Sequence, residues 1–69
     1  MTDKQLEKIK KALDERRGFA LYTDEQMGNE TGCFLENNPD YIYLKGMLDE
    51  VKILGIEFSI ENGEFVLYD

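Results

Sequence analysis

Apolar positions in the first seventeen residues recur at helical spacing. Leu6, Ile9 and Leu13 fall at i, i+3 and i+7, with Ala12 beside them, which marks one face of a 3.6-residue helix. Thr2 stands where an N-cap belongs, and Gln5 three residues later completes a capping-box pattern. Arg16 and Arg17 fall where cations suit the carboxyl end of a helix, and Gly18 is a C′ residue by type. The pattern predicts a helix over 2–17 with a narrow packed stripe.

The next segments read differently. Phe19-Ala20-Leu21-Tyr22-Thr23 is a short apolar run after a stop signal and predicts a strand. Residues 24–32 (DEQMGNETG) are polar with two glycines, the composition of a loop or wide turn. Cys33-Phe34-Leu35-Glu36 then reads as the return strand. Asn38 as N-cap, Pro39 at N1 and Asp40 in the first turn open a second helix. Leu44, Met47, Leu48 and Val51 give its apolar face and Leu54 extends it, so the helix is expected over 39–54. A rival pattern reads Tyr41-Ile42-Tyr43-Leu44 as an alternating strand with a shorter helix at 47–54. Gly46 costs the long helix up to ~1 kcal/mol and keeps the rival in play.

The last segment alternates apolar and polar positions on both sides of Asn62-Gly63, the strongest short hairpin signal, with a type I′ turn. A two-residue turn sets the register and therefore the faces. Glu61 pairs with Glu64, Ile60 with Phe65, Ser59 with Val66, Phe58 with Leu67 and Glu57 with Tyr68. Ile56, Phe58, Ile60, Phe65 and Leu67 share the core face. Glu57, Ser59, Glu61, Glu64, Val66 and Tyr68 share the outer one. The elements sum to an α+β fold in the order α-β-β-α-β-β. The simplest architecture is a four-stranded antiparallel sheet with both helices packed on one face, and the other face open to water or a partner.

The chain has 69 residues, enough for one small domain over 1–69 that buries roughly 60% of its unfolded surface. No apolar run approaches the ~20 residues of a membrane span. The polar opening Met1-Thr2-Asp3-Lys4-Gln5 lacks the apolar core of a signal peptide, so a cytoplasmic, non-membrane protein is expected. The single cysteine, Cys33, fits a reducing compartment and reads as a small buried side chain. There is no histidine, which removes the commonest general base and imidazole metal ligands. No enzyme activity, no metal and no cofactor is therefore expected.

Charge changes the picture most. The net charge is −7, divided as +2 over residues 1–17 and −9 over residues 18–69. Lys4, Lys8 and Lys11 share a helix face that could meet nucleic acid. The i, i+4 pairs Glu7–Lys11, Lys10–Asp14 and Lys11–Glu15 make it read instead as an ordinary solvated face, and a net-acidic chain repels phosphates. Direct nucleic-acid binding is not expected. Asp24, Glu25 and Glu30 lack the spacing of a cation loop and read as solvated loop acids. Glu61 and Glu64 are directly opposed beside the hairpin turn, with Glu57 on the same face, although like charges opposed across strands are destabilising. The outer face with Glu57, Glu61, Glu64 and Tyr68, joined by Glu36, is therefore the candidate binding surface. Tyr41 and Tyr43 are added as interface anchors of the type enriched in hot spots.

In these features the chain resembles, as a type, the small acidic cysteine-poor proteins that phage and mobile elements encode to bind and block host proteins. That resemblance implies a non-enzymatic protein-binding module, an inhibitor of a basic or nucleic-acid-binding partner. The alternative is a structural or regulatory homo-oligomer.

Overall fold

The computed structural model describes residues 1–31 and 33–68. The order is α1 (Asp3–Gln26), α2 (Pro39–Ile53), β1 (Glu57–Glu61) and β2 (Glu64–Tyr68). Helices and strands are segregated along the chain, as in the α+β class. The four-stranded sheet does not form: the sheet holds two antiparallel strands, β1 and β2. The expected strand at 19–23 is the continuation of α1, and the expected return strand at 33–36 is irregular.

The correction comes from Gly18. It lies exposed inside α1, where a Cβ would meet nothing within 4 Å. A glycine there costs about 1 kcal/mol, and the turns beyond it more than recover that cost. Ala20 is completely buried and Asp24 is 7% exposed, so the packed stripe Leu13, Ala20, Asp24 continues at helical spacing. The large side chains of the supposed strand stay out: Phe19, Leu21 and Tyr22 are 50%, 46% and 62% exposed. The true stop is Gly28, at φ +80. Its N–H donates to the Glu25 carbonyl at 3.1 Å and the Asn29 N–H to the Asp24 carbonyl at 3.0 Å, the paired bonds of a Schellman ending. Asp24 and Glu25 are thus helical, and Gly32, the last residue of the expected loop, lies outside the described residues.

The other local signals form as expected. Thr2 Oγ1 accepts from the Gln5 N–H at 3.2 Å, and Gln5 Oε1 accepts from the Thr2 N–H at 3.0 Å. Asn38 caps α2, which is helical through 41–44 and leaves no room for the rival strand. The hairpin has the expected register, with Asn62 at φ 54 and Gly63 at φ 78.

α1 runs about 36 Å at 1.5 Å per residue and sets the 39 Å long axis. α2 returns antiparallel to it: Asn38 lies beside Ala20 and Asp24, while Met47, Val51 and Leu54 lie beside Ile9 and Leu13. The Ile56 N–H bonds the Val51 carbonyl at 3.2 Å and turns the chain into the hairpin. Leu13, Leu44, Val51, Ile56 and Phe65 form the buried centre, with Leu6, Ile9, Met47, Leu48, Phe58 and Leu67 packed around it. No helix among the described residues is long and apolar enough to cross a membrane.

Candidate functional site

The type I′ turn puts Glu57, Ser59 and Glu61 of β1 on one face with Glu64, Val66 and Tyr68 of β2. Two of the glutamates are already engaged. Glu61 Oε2 accepts from the Tyr68 hydroxyl at 3.2 Å and from Ser59 Oγ at 3.4 Å. Glu64 Oε2 lies 3.5 Å from Lys10 Nζ. The cation that eases the Glu61–Glu64 opposition therefore comes from α1 and not from a cross-strand neighbour. Among the described residues no ion pair reaches Glu57 or Glu61, and Tyr68 is 50% exposed.

The two edges of the hairpin differ. With a two-residue turn, Glu61 and Glu64 exchange the first pair of ladder bonds. The backbone groups of Phe65 then point away from β1. Asp14 Oδ1 accepts the Phe65 N–H at 2.7 Å, and Arg17 Nη1 donates to the Gly63 carbonyl at 3.1 Å. α1 thus closes the edge of β2. The corresponding groups of Phe58 and Ile60 point outward from β1, and among the described residues nothing pairs with them.

Asp14 holds the closed edge as a charged group. Burial pushes its pKa up, but hydrogen bonds from Lys10 at 2.6 Å and from the Phe65 N–H, with the charges of Lys10 and Arg17, bring it below the ordinary carboxylate value. At Asp24 burial again pushes up, and hydrogen bonds from Asn38, Asn29 and the Leu35 N–H outweigh it. A lowered folded-state pKa means the unfolded chain binds protons first as pH falls. Both contributions are complete above the ordinary value of 3.8 and fade as pH drops through the lower folded values. Urea denaturation should show a stability plateau above about pH 5 and a decline below about pH 4. Asp14→Asn keeps an acceptor for Phe65 and should flatten that decline. An acid limb equally steep in the variant would remove Asp14 from it.

The remaining predicted residues do not join the hairpin. Tyr41 stacks on Phe34 with ring centres 4.8 Å apart, and Lys45 sits 5.3 Å from its ring. Tyr43 is 57% exposed, with the Arg16 guanidinium 4.1 Å from its ring centre. Arg16 also lies 3.4 Å from Asp40. Both tyrosines belong to the start of α2, where they hold helix contacts, and Glu36 is exposed in the segment before it. The expectation of a buried Cys33 is corrected: it is free and exposed, in a segment held by its carbonyl and not its thiol.

The polar centre that the sequence pattern did not reveal lies between the helices. Asn38, fully buried, donates through Nδ2 to the Ala20 carbonyl at 2.9 Å and to Asp24 Oδ1 at 2.6 Å. Its Oδ1 accepts from the N–H groups of Asp40 and Tyr41 at 2.9 and 3.2 Å. Thr23 Oγ1 donates to Asp40 Oδ2 beside it. Every buried polar side-chain atom among the described residues is satisfied, which is the signature of a structural clasp and not of a waiting ligand site. No protein-family model matches the chain, and no similar curated protein or solved structure was found.

Proposed function

We propose that the chain is a non-enzymatic protein-binding module whose outer hairpin face takes a basic partner. The observation that carries this reading is the pair Glu57 and Glu61. Among the described residues no ion pair reaches them, and they stand on one strand beside a half-exposed tyrosine, while Lys10 serves Asp14 and Glu64 and Arg16 serves Asp40. Uncompensated charge on a rigid strand steers and selects a complementary partner. A nucleic-acid-binding protein, whose own site is built for phosphates, is the fitting class. Inhibition of such a protein, of the kind small acidic phage-type proteins perform, is the activity this surface would support.

The test is a Glu57→Lys, Glu61→Lys, Glu64→Lys chain beside the parent in capture from the native host's lysate, at low and high salt. These side chains are exposed, so circular dichroism should show an unchanged fold, since surface ion pairs contribute about 0–1 kcal/mol. A specific partner should be captured by the parent, lost at high salt, and bound at least ~100-fold more weakly by the variant. Equal affinity for the folded variant would place the binding surface elsewhere.

The homo-oligomer reading draws on a different feature. Ile42, Ile53 and Leu54 of α2 and its end are 55%, 83% and 59% exposed, a large apolar fraction for one short helix. Sedimentation over a concentration series separates the readings, because a monomer at high concentration removes this one.

A further inference from the structure

Resting on that reading, we infer that the partner binds by strand addition: an extended basic segment pairs with the free edge of β1. Three observations converge. First, the two edges differ: α1 lies along β2 and binds it through Asp14 to Phe65 and Arg17 to Gly63, whereas among the described residues nothing pairs with the edge of β1. The N–H and C=O groups of Phe58 and Ile60 face outward and can accept a third strand. Second, the open edge selects against a second copy of itself. In the antiparallel register that uses the whole of β1, Ser59 meets Ser59 and Glu57 meets Glu61 twice over. Like charges so opposed are unfavourable, and two chains of net charge −7 repel at longer range. Third, the same geometry attracts a strand with cations at i and i+4. Its lysines or arginines would lie opposite Glu57 and Glu61, and its apolar residues opposite Phe58 and Ile60. Ile60 is 50% exposed and gains cover from such a neighbour. An open cleft of about 490 Å³ lined by Lys52, Gly55, Ile56, Glu57 and Phe58 adjoins the start of β1 and has room for one of the incoming apolar side chains.

The experiment uses the full chain, isotopically labelled, and a capped synthetic peptide Lys-Val-Thr-Val-Lys, beside the same peptide N-methylated at both valines. Methylation removes the peptide N–H groups that would face β1 and leaves both lysines. Expected is binding of the first peptide, slowed amide exchange at Phe58 and Ile60, and a loss of about tenfold or more on methylation. Glu57→Lys with Glu61→Lys should abolish binding of both. Equal binding of the methylated peptide would overturn strand addition while leaving the acidic-face reading intact. Binding indifferent to the charge reversals, or no binding by either peptide, would overturn both. Protection of Phe58 and Ile60 in a peptide-free dimer would replace the basic strand by a second copy.

Discussion

Asn38→Ala is expected to lower the unfolding free energy by about 3 kcal/mol. The change removes the N-cap of α2, worth about 1 kcal/mol. It also removes both hydrogen bonds that the fully buried Asn38 side chain makes across to α1, to the Ala20 carbonyl and to Asp24 Oδ1, together worth about 2 kcal/mol, although Asp24 keeps its bonds from Asn29 and the Leu35 N–H. A chain of 69 residues has about 3–10 kcal/mol in all, so the variant should melt about 12–24 °C lower. Asn38→Ser and Asn38→Asp separate the two roles. Serine keeps a cap acceptor and loses the reach to α1, so it should recover only the capping share. Aspartate caps well but sets a second carboxylate against Asp24. It should be the least stable variant at neutral pH and regain ground on acidification, as one of the two carboxyls takes a proton. Thermal melts of the three by circular dichroism decide the matter. A serine variant as stable as the parent would reduce Asn38 to an ordinary cap.

This residue also shows why the helix boundary was the unreadable part of the chain. Arg16, Arg17 and Gly18 have the composition of a helix ending. Their real assignments are tertiary: Arg16 sits over Tyr43 and beside Asp40, and Arg17 reaches the Gly63 carbonyl. The partners lie 24 residues on for Asp40 and 46 for Gly63, beyond any local pattern. Asp24 looked like a loop acid because its partners, Asn38 and the Leu35 N–H, come later in the chain. Once α1 runs on to Gln26, two of the four expected strands lose their residues or their partner. The four-stranded sheet fails for that single reason.

Elements written in short-range code were legible. Asn38-Pro39-Asp40 opens α2, and Asn62-Gly63 sets the hairpin register, because a cap and a two-residue turn involve only neighbours. The candidate site inherits that division. The shared face of Glu57, Glu61, Glu64 and Tyr68 follows from the register alone. The pairing of Glu64 with Lys10, and the difference between a closed β2 edge and an open β1 edge, depend on where α1 packs. The place of Tyr41 and Tyr43 in the first turns of α2 follows from the Asn38-Pro39-Asp40 start signal, whereas their contacts with Phe34, Lys45 and Arg16 depend on the packing.

Phe65→Ala should be the most damaging core substitution. The ring is 1% exposed and meets Phe58 edge-on with centroids 6.0 Å apart. The residue also delivers its N–H to Asp14, so side chain and backbone together fasten β2 to α1. Removing the ring costs about 3–5 kcal/mol, comparable with the whole stability. The loss should fall unevenly. The helix pair keeps Leu13, Leu44 and Val51 in contact and retains the Asn38 clasp. The hairpin keeps only its own ladder, and a two-stranded hairpin alone is marginal in water. Hydrogen exchange should therefore show amides of 57–68 close to unprotected while those around Leu13 and Leu44 stay slow. A uniform collapse of protection would mean that helices and hairpin unfold as one cooperative unit. Uneven loss carries a functional consequence. Phe65 points into the core, away from Glu57 and Glu61, yet its removal should weaken the proposed capture of a basic strand as severely as reversing their charges. An edge can template a strand only while β1 is held straight, and β2 is what holds it.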